Sequence, residues 1–556
     1  SIEEFIKLCD EFSKGLLAVG VKPDDKIAIV SKNNRSEWNV VDIGSQQIGA
    51  ITVPLYPNIS ENDYVYILNE AEVKLVFCGD SELYEKMKRI VQKVPSIQRI
   101  YTFDEVQGVP SWQEIIDKGK TVNYDEVEKI KINIKASSLA TIIYTSGTTG
   151  LPKGVMLSHS NILSNVVASS TRIPETVKTG SIALSFLPLC HIYERMIFYL
   201  YMYNGIRIYY ARSLETIVED AQEVKPDIMT VVPRLLEKVY ARIMEKSAEL
   251  KGFKKWLFVS AVNHALKWEP DASNGILYEL LLRIYRLLVF NKMRRVLGGR
   301  IKVMVSGGAA LPPHLCRFFN GAGLPTIEGY GLTETSPVIA VNEFKRGGMR
   351  IGTVGKPIPG VSVKIAEDGE ILVKGPNVML GYYKKEEETR NVFTVDGYFA
   401  TGDIGELVDG FLKITDRKKE LFKTSGGKYI APQPIENRLK RNPFVEMACV
   451  IGEGRPFPSA LIVPNYEYLK SWANKNNINA NSIQELLSHP QVIKLYEEIV
   501  AEVNRELGKW EQIKKFRLLP EPFSIEKEEL TPTLKLKRRI IHMHMANLIE
   551  EIYKEV

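Results

Sequence analysis

The stretch LATIIYTSGTTGLPKG, residues 139–154, runs from a short apolar segment straight into a loop rich in glycine and hydroxyl side chains. Residues 139–144 form a strand candidate, and residues 144–154 contain four Gly or Pro, four Ser or Thr and a single Lys. Such a loop cannot form a core. Backbone amides freed by glycine, hydroxyls and one ammonium suit an anion, above all phosphate. Gly/Ser/Thr runs also occur as solvated loops, so this loop alone leaves both interpretations open.

The order of elements around this loop predicts an α/β fold. Strands alternating with helices indicate layers packed on a largely parallel sheet. Such sheets bind ligands in loops that follow the carboxyl ends of strands, and residues 144–154 follow a strand candidate. A helical pattern between strand candidates is found, for example, at residues 37–49. The other short apolar runs are residues 26–30, 50–56, 73–79 and 206–211.

Residues 351–415 change character, because apolar and polar residues alternate there between Gly and Pro turns. This pattern is typical of antiparallel β structure. After TDRKKE, residues 415–420, mixed helix and strand patterns return and end in long helical stretches. We therefore expect a large N-terminal domain, residues 1–415, built of layered α/β subdomains plus a β subdomain at 351–415. A small α+β C-terminal domain of roughly 135 residues would follow.

The composition is that of an ordinary globular enzyme. The 556 residues carry 73 Lys and Arg against 67 Asp and Glu, and this net charge of +6 is too mild to indicate nucleic-acid binding. The five cysteines are far apart without a CxxC pair, which predicts neither a disulfide framework nor a thiolate zinc site. This cysteine usage fits a reducing, cytoplasmic compartment, and with no signal peptide and no apolar run of 18 residues we expect no spanning helix. Residues 1–5, SIEEF, match a helix N-cap with Glu at the third helical position, which suggests that upstream residues were removed or not included.

Residues 275–295 form a helical stretch with few charges. Up to residue 290 its only charges are Glu279, Arg283 and Arg286, which share one narrow stripe, and three basic residues follow. A mostly buried helix would have this pattern. A helix lying on a membrane surface would have it too, and would suit an enzyme with lipid substrates. Peripheral contact with the inner face of a membrane is therefore left open.

Several common catalytic motifs are missing. The P-loop pattern G-x-x-x-x-G-K-[ST] is not matched, because Lys153 follows Pro152 and precedes Gly154. G-x-S-x-G is absent, so a serine hydrolase of that type is not supported. The seven His residues are scattered, and His542 and His544 lack an accompanying Cys or carboxylate pattern, so we expect no structural zinc site.

Two further segments combine glycine with groups that bind nucleotides. In IEGYGLTETSP, residues 327–337, Tyr330 could stack on a base, and Thr333 beside Glu334 offers the hard oxygen ligands that suit Mg²⁺. In GYFATGDIGEL, residues 397–407, Asp403 could accept hydrogen bonds from ribose hydroxyls. Each segment alone is also compatible with a simple turn.

Taken in order, these motifs resemble the adenylate-forming superfamily of acyl-CoA synthetases, luciferases and peptide-synthetase adenylation domains. That family carries a Thr/Ser/Gly-rich loop ending in Pro-Lys-Gly, then Tyr-Gly-x-Thr-Glu, Thr-Gly-Asp, a hinge Arg and a C-terminal Lys. This chain has YTSGTTGLPKGV, GYGLTE, ATGD, DRKKE and TPTLKLKRR in that order. Residues 396–437 and the long insertion from about 245 to 300 resemble the long-chain fatty acyl-CoA synthetases within that superfamily.

The resemblance implies roles for residues of the N-terminal domain. Thr333 would hold the α-phosphate of ATP, and Glu334 would bind Mg²⁺. His191, in LPLCHIYER, matches an aromatic position near the carboxylate and the thiol path, and a buried core histidine is the alternative. The residues that would wrap the β- and γ-phosphates are Thr145, Ser146, Gly147, Thr148, Thr149, Gly150 and Lys153. The residues that would surround the rest of the nucleotide are Gly307, Gly308 and Ala309 at adenine and the acyl chain, Glu328, Gly329 and Tyr330 at adenine, and Asp403 and Arg417 at the ribose.

The resemblance also assigns a catalytic lysine near the C-terminus. Lys535 matches that lysine, although Leu534 stands where a Gly often precedes it, and Lys537 is the alternative. Each would lie in the C-terminal domain, residues 421–556, which the resemblance implies is mobile.

A hinge would connect the two domains at residues 416–420, with Lys419 as the hinge residue. The loop TSGGKYI, residues 424–430, would face the tunnel for the CoA thiol through Gly426 and Gly427.

The implied activity is that of a long-chain fatty acid–CoA ligase, which uses ATP, Mg²⁺ and CoA to convert a fatty acid to acyl-AMP and then to acyl-CoA. A ligase for a medium-chain or aryl acid, or an acyl-AMP ligase that serves a carrier protein, remains an alternative. A non-catalytic AMP-binding scaffold is disfavoured, because both Lys535 and Glu334 are present. A homodimer is compatible with the sequence.

Overall fold

The computed structural model describes residues 1–145, 151–418, 420–531 and 534–554. The chain divides into two compact units. The first unit comprises Ser1–Ala366, Leu372–Thr401 and Leu407–Lys413. The second unit comprises Glu367–Ile371, Gly402–Glu406 and Ile414–Val556.

Strands and helices alternate through the chain up to residue 341. The strands are β1 (Lys26–Val30), β2 (Ile51–Leu55), β3 (Val73–Cys78), β4 (Arg99–Thr102), β5 (Leu139–Thr145), β6 (Lys153–Ser158), β7 (Ile182–Ser185), β8 (Arg207–Tyr210), β9 (Ile228–Val231), β10 (Val303–Ser306), β11 (Thr326–Gly331) and β12 (Val338–Val341). The helices are α1 (Ile2–Ala18), α2 (Ser36–Gln47), α3 (Glu61–Glu70), α4 (Ser81–Val91), α5 (Gln113–Gly119), α6 (Tyr124–Lys131), α7 (His159–Ser170), α8 (Ile192–Tyr203), α9 (Ile217–Val224), α10 (Pro233–Ala248), α11 (Gly252–Ala265), α12 (Ile276–Tyr285), α13 (Asn291–Val296) and α14 (Pro313–Gly321).

Beyond residue 350 short strands dominate first, and helices return near the C-terminus. The strands are β13 (Lys356–Pro357), β14 (Ser362–Ile365), β15 (Glu370–Lys374), β16 (Gly381–Tyr382), β17 (Phe399–Val408), β18 (Phe411–Arg417), β19 (Phe422–Lys423), β20 (Tyr429–Ile430), β21 (Val445–Ile451), β22 (Ser459–Pro464) and β23 (Lys515–Leu518). The helices are α15 (Glu386–Asn391), α16 (Pro432–Leu439), α17 (Tyr466–Lys475), α18 (Ile483–Ser488), α19 (Pro490–Arg505), α20 (Arg538–His544) and α21 (Ala546–Lys554).

Two seven-stranded sheets form the framework of the first unit. The first has the order β16-β6-β5-β2-β1-β3-β4, and the second has the order β13-β12-β11-β10-β9-β7-β8. The strands from β5 to β4 in the first sheet and from β11 to β8 in the second are parallel, with antiparallel strands added at one edge. The predicted strands at 26–30, 50–56, 73–79, 139–144 and 206–211 are all present, and the largely parallel α/β fold is confirmed.

The remaining strands form smaller sheets. Strands β14, β15, β17 and β18 make a four-stranded sheet in that order, which confirms the β character predicted beyond residue 351. Two details differ from the prediction: helix α15 interrupts the strands, and β16 joins the first sheet as an antiparallel neighbour of β6. In the second unit β21, β22 and β23 form one sheet and β19 pairs with β20, so this unit is α+β as expected.

Successive side chains of the central strands point to opposite faces of the sheet, and each face has its own hydrophobic core. In β1, Ile27 and Ile29 pack with helices α1 and α2, whereas Ala28 and Val30 pack with α3 and α4. The strand β21 of the second unit behaves in the same way, with alternate residues in two clusters. Burial on both faces explains why these strands read as nearly continuous apolar runs.

A buried ion pair connects helix α8 to helix α2 and to the first sheet. Arg195 of α8 and Asp42 of α2 are both fully buried, and the guanidinium donates to both carboxylate oxygens. The same guanidinium donates to the hydroxyls of Thr52 (2.8 Å) and Thr141 (2.7 Å) on the first sheet. Tyr199 donates to Asp42 as well. Every donor of this kind reduces the cost of burying a charge, so the network holds α8 against the first sheet.

The stretch at 275–295 is helical as predicted but not mostly buried. It comprises α12, one π turn at Arg286–Phe290 and α13. Leu282, Tyr285 and Phe290 are buried, whereas most of its other large apolar residues up to residue 288 are exposed. The sequence could not distinguish these cases, because an apolar side chain looks the same whether or not a partner covers it.

We predict that Arg195→Ala lowers the free energy of unfolding by about 3–5 kcal/mol, because it leaves the Asp42 carboxylate buried without its counter-charge. The double variant Arg195→Met, Asp42→Leu should recover part of this loss, since it removes both charges. Urea denaturation followed by fluorescence measures the change.

Lys120→Ala is the matched control, because Lys120 pairs with Asp117 at 2.7 Å with both side chains exposed. Exposed pairs contribute little to stability, so its denaturation curve should overlie that of the parent chain. If the Arg195→Ala curve also coincided with that of the parent chain, the buried network would not stabilise the packing of α8 against the first sheet.

Candidate active site

The loop at 144–154 connects two antiparallel strands. Thr145, at the end of β5, pairs with Lys153, at the start of β6. The connection is therefore a β-hairpin, unlike the strand-to-helix turn of a P-loop. Of the predicted phosphate-binding residues, Ser146, Gly147, Thr148, Thr149 and Gly150 lie outside the described residues.

The Lys153 ammonium lies between an acid and an aromatic ring. It forms an ion pair with Glu388 of α15, and its side chain is 19% exposed. It also lies 5.3 Å from the centroid of the Tyr382 ring, within the range of a cation–π contact. Neither Glu388 nor Tyr382 was singled out from the sequence, because both come from a short strand and helix far along the chain.

Tyr382 also contacts the predicted Mg²⁺-binding carboxylate. Its hydroxyl donates to Oε1 of Glu334 at 3.0 Å, and the Met379 amide donates to the Glu334 carbonyl at 2.8 Å. Thr333 and Glu334 lie in a short 3₁₀ turn, Thr333–Thr335, that follows β11. Tyr382 of β16 thus contacts Lys153 of the hairpin through its ring and Glu334 of the turn through its hydroxyl.

The segment before β16 is held in place by side-chain amides. Asn161 of α7 donates to the carbonyls of Pro376 (2.8 Å) and Val378 (2.9 Å). Asn377 donates to the Thr335 carbonyl at 2.9 Å. These hydrogen bonds satisfy buried backbone groups and fix the approach of Tyr382 to Glu334.

Two parallel neighbours, β10 and β11, end beside each other and carry the predicted adenine residues. Gly307, Gly308 and Ala309 follow β10, and Glu328, Gly329 and Tyr330 lie in β11. The Glu328 carboxylate is buried and accepts a hydrogen bond from the Leu311 amide at 2.7 Å. Burial raises the pKa of Glu328 to about 8. This carboxylate therefore fixes the 307–311 loop against β11.

A narrow pocket opens between these strands and helices α7 and α8. Its lining includes Gly307, Gly308, Gly329 and Tyr330, together with His191. Ser169, Arg172 and Tyr193 add polar groups, and the apolar lining residues include Ile173, Met196, Ile197, Leu200, Val305 and Val341. A pocket with both kinds of lining can take a molecule that has a polar and an apolar part.

His191 begins α8 and faces this pocket. Its Nδ1 accepts a hydrogen bond from the Tyr193 amide at 3.1 Å, which caps the helix. The Tyr193 hydroxyl donates to the Val305 carbonyl at 2.9 Å. A Cβ at Gly307 would lie 3.0 Å from Cζ of Tyr193, so glycine permits this close approach. His191 is both a pocket residue and a helix cap.

The predicted ribose-binding pair lies in the second unit. Asp403 is buried in β17, and Nε of Arg417, the last residue of β18, lies 3.4 Å from its Oδ1. Gly426 and Gly427 form the turn between β19 and β20, closed by the hydrogen bond from the Gly427 amide to the Thr424 carbonyl at 2.9 Å. The predicted hinge residue Lys419 lies outside the described residues.

Lys535 and Lys537 lie in an irregular segment of the second unit that leads into α20. The Lys535 amide donates to the Thr531 hydroxyl at 3.0 Å, and both lysine side chains are half-buried. Leu534 has a φ of +61°, the left-handed conformation that glycine adopts most easily. This backbone conformation gives a physical reason why glycine would suit the position before the lysine.

Arg538 anchors the same segment. Its guanidinium forms a bidentate pair with Glu436 of α16, at 2.7 and 2.8 Å. Burial by itself lowers the pKa of Arg538, but the negative charge of Glu436 outweighs this effect and raises the pKa of the guanidinium. A fixed start of α20 limits the positions that Lys535 and Lys537 can reach.

Comparison with known proteins identifies the family. A family model described as "AMP-binding enzyme" matches residues 1–383, and one described as "AMP-binding enzyme C-terminal domain" matches residues 420–556. The chain is 35% identical over 546 residues to Long-chain-fatty-acid--CoA ligase FadD15 of Mycobacterium bovis, which covers 97% of this chain and 90% of that protein. It is 34% identical over 578 residues to Long chain acyl-CoA synthetase 6, peroxisomal, of Arabidopsis thaliana, which covers 98% and 80%.

Solved structures agree on the fold. The adenylation domain of the carboxylate reductase from Mycobacterium chelonae superposes with a TM-score of 0.75 at 21% identity, covering 100% of this chain and 84% of that one. Sequence motifs, family models and relatives along almost the whole length lead to the same conclusion: this chain belongs to the AMP-binding enzymes, the adenylate-forming superfamily, and is close to its long-chain acyl-CoA synthetases.

Proposed function

We propose that this protein is an AMP-forming long-chain fatty acid–CoA ligase. The observation that carries the proposal is a pocket lined both by apolar side chains and by the Gly307–Gly308 and Gly329–Tyr330 segments. The apolar side chains suit a fatty acid, and the glycine-containing segments suit a nucleotide. The names of the relatives support the same substrate class.

The first half-reaction joins the fatty carboxylate to AMP. A carboxylate oxygen bonds to the α-phosphorus of ATP, and the bond from that phosphorus to the bridging oxygen breaks, so that pyrophosphate leaves with the electron pair. Both reactants are anions, so the barrier is largely electrostatic and positional. We infer that Lys535 reduces the repulsion between the carboxylate and the α-phosphate, and that Lys153 with its hairpin restrains the β- and γ-phosphates.

The residues around Glu334 fit a Mg²⁺ ion that is bound largely through ATP. Mg²⁺ prefers oxygen ligands and commonly takes only one or two carboxylates, with phosphates and water for the rest. Glu334 offers one half-buried carboxylate, with the Thr333 hydroxyl next to it in sequence. Among the described residues no cluster of three or more acidic, His or Cys side chains could hold a metal without the nucleotide. When bound there, Mg²⁺ would neutralise charge on the triphosphate.

In the second half-reaction the CoA thiol, after losing its proton, attacks the acyl carbonyl. The bond between the acyl carbon and the phosphate oxygen breaks, and AMP leaves with the electron pair. No covalent enzyme intermediate is needed. Lys535 has no task in this step, and we propose that the C-terminal domain, residues 421–556, rotates about residues 416–420 to remove it, with Gly426 and Gly427 beside the thiol path.

Product analysis and lysine variants test the reaction. With palmitate, ATP and CoA the protein should release AMP and pyrophosphate, and release of ADP and phosphate would contradict the mechanism. Lys535→Ala should lower the rate of acyl-AMP formation by at least about a hundredfold, because the charge between two anions is lost. Thioester formation from supplied acyl-AMP should stay nearly unchanged.

Lys537→Ala is the matched control for this prediction, since both lysines lie in the same segment and are half-buried. It should leave acyl-AMP formation close to that of the parent chain. If Lys537→Ala lost the first half-reaction while Lys535→Ala kept it, the catalytic lysine would be Lys537. A series of acids from medium to long chain, with an aryl acid, tests the substrate class.

Tyr382→Phe tests whether Tyr382 positions Glu334. The variant keeps the ring beside Lys153 but removes the hydroxyl that donates to the Glu334 carboxylate. A hydrogen bond to a charged group contributes about 1.5–3 kcal/mol, so we predict about a tenfold rise in the Mg²⁺ concentration for half-maximal AMP release. Nucleotide binding measured by calorimetry without Mg²⁺ should change little.

Tyr383→Phe is the control, because the neighbouring Tyr383 hydroxyl makes no hydrogen bond among the described residues. Its Mg²⁺ dependence should match that of the parent chain. An unchanged Mg²⁺ dependence in Tyr382→Phe would remove the positioning role.

A further inference from the structure

Helices α11 and α12 expose a continuous series of large apolar side chains. On α12 and the π turn that follows it, the exposed residues recur at positions i, i+1, i+4, i+5, i+8, i+11 and i+12, which lie on one face of a helix. These residues are Ile276, Leu277, Leu280, Leu281, Ile284, Leu287 and Leu288. Leu277 is 84% exposed, and Leu287 is 70% exposed. Soluble proteins seldom leave so many adjacent aliphatic side chains in water without a binding partner.

The opposite face of α12 is fixed to α11 by ring contacts. The His264 and Tyr278 rings stack at 4.0 Å between centroids, and the Tyr278 hydroxyl donates to the His264 carbonyl at 2.8 Å. The hydroxyls of Ser260 and Tyr285 lie 2.7 Å apart. The apolar face therefore belongs to a packed helix pair and is not the loose side of an unfolded segment.

Helix α11 extends this apolar face with aromatic residues. Phe253 and Trp256 are exposed, and their rings stack at 5.6 Å between centroids. Val259, one turn further, is exposed as well. Tryptophan has an apolar body with a polar N–H, and for this reason it favours the boundary between lipid and water. We call the exposed apolar residues of α11, of α12 and of the π turn after α12 together the apolar helix face.

The charge around the apolar helix face is strongly positive. Residues 251–296 contain nine Lys and Arg against three Asp and Glu, a net charge of +6 that equals the net charge of the whole chain. Lys254 and Lys255 lie between Phe253 and Trp256, and Arg283 borders the exposed face of α12. None of these three residues makes an ion pair within the described part of the chain. They are therefore available to an external anionic partner.

We propose that the apolar helix face docks this protein in the plane of an anionic lipid bilayer. Aliphatic and aromatic side chains would enter the headgroup boundary, while the surrounding lysines and arginines would contact lipid phosphates. A second protein is a poorer fit, because lysine is depleted in protein interfaces. No helix among the described residues has the length and apolarity to cross a bilayer, so the contact would be peripheral.

Co-sedimentation with lipid vesicles tests this docking. The full chain should bind vesicles of phosphatidylcholine with about 30 mol% phosphatidylglycerol, and should bind phosphatidylcholine alone more weakly, since anionic lipid attracts basic segments. Leu277→Asp should lower the partition coefficient by about tenfold, since it puts a carboxylate into the headgroup boundary. Lys254→Glu combined with Lys255→Glu should weaken binding at low salt, with a smaller effect at high salt.

Ile132→Asp is the matched control, because Ile132 is 76% exposed at the end of α6, outside the apolar helix face. It should bind vesicles like the parent chain. Binding is measured without substrates, so the result does not depend on the proposed ligase activity, which is assayed separately with a water-soluble acid.

Two outcomes would overturn the proposal. One is vesicle binding that is absent or unaffected by Leu277→Asp while the variant keeps the melting temperature of the parent. The other is a parent chain that elutes as a dimer and does not bind vesicles, with Leu277→Asp eluting as a monomer. That result would assign the apolar helix face to contacts between copies of this chain.

Discussion

The ion pair between Arg195 and Asp42 is the contact on which the arrangement of the first unit depends. Two charges buried without water are tolerated only when hydrogen bonds satisfy both, and here Thr52, Thr141 and Tyr199 supply them. Because the partners come from α8, α2 and two strands of the first sheet, their geometry sets the position of α8. That helix carries His191 at its start and Met196, Ile197 and Leu200 along the pocket. A charge pair that does not itself line the candidate acyl pocket thus holds the helix that forms part of its wall.

A second constraint brings together Lys153 and Glu334, the residues predicted to bind phosphate and Mg²⁺. Strands β5 and β6 form an antiparallel hairpin, and the two residues of β16 pair with the outer edge of β6. Tyr382, on that extension, has Lys153 near its ring and Glu334 at its hydroxyl. Residues separated by almost two hundred positions in sequence are held together by one side chain, and the amides of Asn161 and Asn377 keep its strand in place. These hydrogen bonds from side-chain amides to backbone carbonyls provide the rigidity that positioning of reactive groups requires.

Much of the fold and of the candidate site could be predicted from the sequence. The features that could not be predicted were hidden for physical reasons. Strands such as 26–30 and 73–79 were predictable, because burial on both faces produces uninterrupted apolar runs. The segments that form the site were predictable from their glycines and hydroxyls, although the roles of the individual residues stay predictions.

The contributions of Tyr382 and Glu388 were not predictable, since a two-residue strand has no periodicity to detect. The exposure of α12 could not be predicted either, because the hydropathy of a helix does not show which of its faces another element covers. The conformation of Leu534 could be suspected only from a glycine expected next to Lys535.

The ion pair between Lys153 and Glu388 has a consequence for which anions this protein can hold. Lys153 already pairs with the carboxylate of Glu388 in the same chain, so an incoming anion must displace that carboxylate before it can pair with the lysine. A singly charged ion offers little more than Glu388 does, and it lacks the advantage of being tethered. A chain of several phosphates makes contacts elsewhere at the same time and can win the exchange. If Lys153 binds the phosphates of ATP as proposed, Glu388 would disfavour small anions, which are abundant in any cell, without excluding a nucleotide triphosphate.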